Sequence, residues 1–225
     1  VNFKPSKTIK KHFGIFIGRS NFNRLYLSSY LFKYHRKKTI QSFHYFEDSA
    51  LQTGFDQLNK LSYDVKQHTE LTQDLLSNYP LKLDDIDSYP ILSPTHMNII
   101  KHYDDIFADI VCETFFTGNT FYPTEKTVRP LLSETPFLIF GPINYLSNLR
   151  KLGFKTFNDF WPEDYDNFDG ITRCRLIADR IDYIANLSLE QLKDMYCDMK
   201  PILEHNKEMI KSITFENFYS TFKND

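Results

Sequence analysis

The run Thr124-Glu125-Lys126-Thr127-Val128-Arg129 sets a hydroxyl, a carboxylate and two cations in close succession. If Thr124 caps a helix that opens at Glu125, Lys126 and Arg129 lie within one helical turn of each other. They would stand at an end where unpaired backbone N–H groups and a partial positive charge already favour an anion. An arginine fork grips phosphate through paired hydrogen bonds and a lysine acts as a point charge, so the two suit a diphosphate. Glu125 would repel phosphate; its natural partner is a vicinal pair of hydroxyls such as that of a ribose. A second acid, Glu113, closes the preceding apolar run, and Tyr122-Pro123 leads into the cap. The same residues would also serve an ordinary helix start, with a threonine cap, an acidic first turn and an exposed lysine.

Such a site needs elements to hold it. Ile106 to Cys112 is short, apolar and β-branched, the pattern of a strand covered on both faces in the middle of a sheet. A Gly118-Asn119 turn signal follows, then the helix, with Leu131-Leu132 to face the sheet, then a second short apolar strand within Pro136 to Gly141. The chain opens with the same order. Phe13 to Ile17 predicts a strand, Gly18-Arg19-Ser20-Asn21 a turn, and Asn23 to Tyr34 a helix with Leu25, Leu27, Tyr30 and Leu31 on its apolar face. That turn would put a cation, Arg19 or Arg24, and the polar side chains of Ser20 and Asn21 at the carboxyl edge of the sheet, where open α/β sheets bind ligands. The GxGxxG fingerprint of dinucleotide folds is absent.

An acidic residue, a loop and Tyr-x-Thr-Glu-Lys opening a helix, followed by an apolar strand ending in Gly, together resemble the donor-binding signature of α1,3-fucosyltransferases. These are GT-B enzymes that use GDP-fucose. The resemblance covers roughly the second half of the chain together with the opening strand and helix, whose Ser/Asn turn and early Arg are similar too. It implies that Glu125 and Lys126 contact a sugar nucleotide, with Tyr122 and Thr124 beside them and Glu113 near the acidic position. Pro123 stands where the family usually has Val, and Thr127 to Pro130 replaces its apolar continuation. The implied activity is transfer of a sugar from a nucleoside-diphosphate sugar, GDP-fucose-like, to a glycan or other hydroxyl acceptor. The residues expected at the donor are Arg19, Ser20, Asn21, Tyr122, Thr124, Glu125, Lys126 and Arg129. Neither metal nor cofactor is expected, because cations with a helix N-terminus would neutralise the leaving diphosphate in place of a bound metal. Glu113, His96 and Asp109 are candidates by location for the base that takes the acceptor's proton; Glu113 is the leading catalytic candidate. GT-B enzymes usually carry that base on an amino-terminal acceptor domain, which here would lie outside the chain or on an oligomer partner. The alternative is a non-catalytic Rossmann-like module that binds a nucleotide or phosphorylated ligand as a scaffold or subunit. A phosphotransferase is disfavoured, because neither GxxxxGK[ST] nor kinase-like Asp motifs occur.

The 225 residues, 41% of them hydrophobic, suffice for a full core, and one continuous α/β unit over 1–225 is expected. That unit is a Rossmann-like open, mostly parallel sheet flanked by helices, of GT-B nucleotide-sugar-binding type, with C-terminal helices over 173–225. A formal charge of −2 offers no general attraction to nucleic acid or anionic membrane, so a phosphate site must be local. Three widely spaced cysteines form no CxxC pair and fit a reducing, cytoplasmic setting; no stretch approaches the roughly 18 apolar residues of a membrane span. With 21 Phe and 14 Tyr against 7 Gly, the core is expected to be built of large rings.

Elsewhere the pattern is plainer. Residues 1–11, with Lys4, Lys7, Lys10 and Lys11, read as a solvated basic lead-in. Thr39 to Tyr45 predicts a strand after a basic Arg36-Lys37-Lys38 turn, with His44 structural. The polar stretch 49–100 reads as helices and irregular chain broken at Pro80, Pro90 and Pro94. Ile143 to Leu152 predicts a helix, Phe154 to Phe157 a short strand, and Trp161 to Asp166 an acidic aromatic loop. Arg173 is expected to open a long helix, and Leu189 to Ile213 another that Pro201 breaks or kinks. The tail, with Phe215, Phe218, Tyr219 and Phe222, reads as a docking helix.

Overall fold

The computed structural model describes residues 7–44, 65–83 and 97–213. Four strands, β1 (Lys11–Ile17), β2 (Thr39–Phe43), β3 (Ile106–Cys112) and β4 (Phe137–Phe140), form one sheet in the order β2-β1-β3-β4. Every pairing is parallel, with Phe13 opposite both Thr39 and Ala108, and Asp109 opposite Phe137. β3 and β4 are buried along their whole length, as apolar runs without alternation require of strands covered on both faces.

Helix α1 (Phe22–His35) connects β1 to β2, and α3 (Glu125–Leu132) connects β3 to β4. These two crossovers step through the sheet in opposite directions. Because parallel crossovers are right-handed, opposite steps place their helices on opposite faces. α1 accordingly packs with α2 (Val65–Ser77) and with α5 (Gly170–Ala185), while α3 packs with the long α6 (Leu189–Ser212). A short helix, α4 (Tyr145–Lys151), follows β4. The result is a Rossmann-like α/β fold. Rings fill its core: Phe137 meets Phe157 at 5.0 Å between centroids, and Phe157 meets Trp161 at 5.4 Å. No helix among the described residues is long and apolar enough to cross a membrane.

Four local expectations are corrected. Phe154 to Phe157 is not a strand, because side chains take its backbone groups: Asn206 accepts from the Lys155 N–H and donates to its carbonyl, both at 2.8 Å, and Glu163 accepts from the Phe157 N–H at 2.8 Å. Pro201 does not interrupt α6. Leu192, Tyr196, Met199 and Leu203 hold one buried face of that helix, and Pro201 lies on the exposed side, where the lost hydrogen bond falls in water. Arg173 does not open its helix, which begins at Gly170. It is fully buried one turn in, donating to the Pro142 and Ile139 carbonyls at 3.0 and 3.2 Å and to Asp166 at 3.0 Å. Nor is the lead-in wholly solvated. The Lys7 ammonium donates to the carbonyls of Tyr103 (2.6 Å) and Ile106 (3.1 Å) and to the Thr135 hydroxyl (2.6 Å), sealing the base of the sheet. His96 and the tail from residue 214 lie outside the described residues.

A candidate anion site at the switch point of the sheet

The two opposed crossovers diverge between β1 and β3, and the carboxyl ends of those strands therefore flank a crevice, the place where doubly wound sheets take ligands. From β1 comes the turn Gly18 to Asn21, and from β3 come Glu113 and the loop that leads to α3.

Arg24 ties the two sides together. It sits in the first turn of α1 and is 7% exposed; its guanidinium donates to the Arg19 carbonyl at 2.9 Å and to the carbonyls of Cys112 and Glu113 at 3.3 and 3.4 Å. Of the two arginines that could have faced a ligand, Arg24 is thus a brace, and Arg19 is the exposed one. Asn21 caps α1 by accepting from the Arg24 N–H at 3.0 Å, and Ser20 is buried at the same turn.

Glu113 holds α3 from beneath. It has no exposed surface, and one carboxylate oxygen accepts from the Thr124 N–H (3.0 Å), the Thr127 hydroxyl (2.5 Å) and the Tyr145 hydroxyl (3.1 Å). The other accepts from the Thr124 hydroxyl at 2.6 Å and the Thr114 N–H at 3.2 Å. All its partners are donors, which suits an ionised carboxylate, an acceptor only. Its position makes it a pin for the helix opening, and its oxygens are committed there. Thr127 and Tyr145 were not among the residues singled out by sequence. The Thr124-x-x-Thr127 spacing, which puts two hydroxyls on one helical face, was the signal available for the first. Tyr145 had none; it arrives from α4, where Gly141 makes room for it, since a Cβ there would lie 2.5 Å from the ring.

Above the pin, Thr124 caps α3, its hydroxyl accepting from the Lys126 N–H at 3.3 Å. The Lys126 ammonium lies 2.7 Å from Glu125 and 3.1 Å from the Thr114 hydroxyl, and Arg129 approaches the same Glu125 oxygen at 3.9 Å. Partial burial pushes the Glu125 carboxyl up, but the hydrogen bond and charge of Lys126, with Arg129 behind, hold it below its ordinary value. At the mouth Tyr122 stands exposed, edge-on to exposed Phe115 at 5.9 Å.

Of the residues named from sequence, Thr124, Glu125 and Lys126 share one helix end with Tyr122 beside it, and Arg129 reaches back toward Glu125 from the last turn. Arg19, Ser20 and Asn21 form the facing turn, and Glu113 lies under the helix. Chemically this is a helix N-terminus carrying two cations and one acid, open to a crevice between strand ends. No protein-family model matches the chain, and neither a curated protein nor a solved structure matches it.

Proposed function

We propose that the chain binds a nucleoside-diphosphate sugar in this crevice and acts as a metal-independent glycosyltransferase of fucosyltransferase-like, GT-B kind, working in the cytoplasm on a glycan or other hydroxyl acceptor. The observation that carries the reading is the capped N-terminus of α3, held by Glu113 at the switch point, with Lys126 on its first turn and Arg129 reaching back toward it from the last. Breaking the anomeric C–O bond leaves charge on the departing diphosphate. Lys126 and Arg129, with the positive end of the helix dipole beside them, are placed to neutralise it in a preorganised way. Glu125 serves the donor's hydroxyls and holds Lys126 in place through their 2.7 Å ion pair. Glu113 is assigned a positioning role: taking a proton would break its set of accepted hydrogen bonds, so the base for the acceptor hydroxyl comes from elsewhere, in keeping with an acceptor domain or partner.

Calorimetric titration with GDP, UDP and dTDP, with Glu125→Ala and Lys126→Ala alongside, tests the site and names the base. One diphosphate should bind, and both variants should lose it. Release of free nucleoside diphosphate from the matching sugar nucleotide distinguishes an enzyme from the second reading, a binding module, which would bind and release nothing.

A further inference from the structure

Behind the cations of α3 lies a buried acid. Asp109, in the middle of β3, is 3% exposed, and the Tyr103 hydroxyl donates to it at 2.6 Å. Arg129 hydrogen-bonds that same tyrosine oxygen and adds its charge to the surroundings of Asp109. A small cavity is lined by Phe16, Tyr103, Asp109, Lys126 and Arg129, so both cations of the proposed anion site border the space beside this acid.

We propose that Asp109 is a positioning residue of the anion site: acting through Tyr103, it holds Arg129 against the sheet and sets how much of that guanidinium's charge a bound diphosphate meets. The inference rests on the reading of the crevice as a diphosphate site. Arg129 is shared between Glu125 on its outer side, 3.9 Å away, and the Tyr103–Asp109 pair on its inner side. With Asp109 protonated, Glu125 alone offsets Arg129. With Asp109 ionised, the guanidinium is drawn inward and part of its charge is spent there.

The balance falls in a useful range. Burial pushes Asp109 up to about 7, against the lowering effects of Tyr103, Arg129 and Lys7. The groups facing it are Tyr103 from the turn before β3, Cys112 on its own strand, Lys126 and Arg129 from α3, and Lys7 from the chain's start. Lys7 is itself lowered to about 7 by burial, opposed by Asp104, Asp109 and Glu134. Raising the pH ionises Asp109 and discharges Lys7. Both changes make the field behind Arg129 less positive, so anion affinity falls.

The test is calorimetric titration of the full chain with GDP-fucose and UDP-glucose from about pH 5.5 to about pH 8.5, a range in which their diester phosphates have no proton to lose. The dissociation constant should rise roughly 3- to 10-fold across that range in the wild type. Asp109→Asn should remove the larger part of that rise, leaving only the weaker loss of affinity that follows the discharge of the more distant Lys7. Tyr103→Phe, which removes the hydrogen bond that lowers the Asp109 pKa, should move the midpoint upward, and it carries the test if Asp109→Asn fails to fold. Binding that is lost in Lys126→Ala yet independent of pH in the wild type overturns the inference and leaves the anion site standing. So does an Asp109→Asn profile that follows the wild type. Failure of both sugar nucleotides to bind at any pH overturns the diphosphate reading itself and the inference with it.

Discussion

Glu113 and Lys126 divide the work of the site, and substitutions should separate them. Glu113 is buried among donors to which it is the common acceptor, so Glu113→Gln brings an amide N–H₂ against hydroxyls and N–H groups that need an oxygen. It should cost about 2–3 kcal/mol of stability, read as a lower urea midpoint at unchanged slope. Lys126 and Arg129 stand at the crevice, so Lys126→Ala should abolish measurable diphosphate binding while moving the urea midpoint little, and Arg129→Ala should weaken binding by about tenfold. Were Glu113→Gln stable and Lys126→Ala unfolded, the division would be wrong. Which of two acids reaches a ligand depends on depth, and depth at this strand end is set by α4 and its Tyr145, which come from later in the chain.

At the scale of elements, α3 owes its position to its neighbours. At 8 residues the helix is marginal alone, and it is held by the pin beneath and by α6 packed across it. Gly141 admits the Tyr145 ring that completes the pin. Gly141→Ala should therefore lower stability by about 1–3 kcal/mol and loosen the proposed diphosphate site together with it; thermal unfolding and titration of one variant check both. Pro201 makes the contrasting case. In an exposed, continuous helical turn it withholds one backbone hydrogen bond, so Pro201→Ala should raise the melting temperature without touching binding. The sequence pattern foretold a break there because it weighs the lost bond but not the buried face of Leu192, Tyr196, Met199 and Leu203 that carries the helix through.

For the molecule as a whole, the buried Asp109 and the partly buried Lys7 shape stability against pH. Asp109 is raised from 3.8 to about 7, so the folded state keeps a proton the unfolded chain has lost, and stability falls as pH rises between those values. Lys7 is lowered from 10.5 to about 7, so stability rises again with pH above about 7. Denaturation midpoints should dip near neutrality; Asp109→Asn should flatten the acid limb and Lys7→Met the alkaline one. By itself the sequence determined much of the frame. Apolar runs without alternation at Ile106–Cys112 and Phe137–Phe140 specify buried parallel strands, and Thr124-Glu125-Lys126 specifies a capped helix start, because both signals are local. Only the tertiary structure decided which charges face water and which are braces. Arg24 and Arg19, Glu113 and Glu125, Lys7 and Lys10 are alike in the sequence and separate by burial. Burial is a sum over partners such as Tyr103, Thr135 and Tyr145, which come from distant parts of the chain, and no local window contains it.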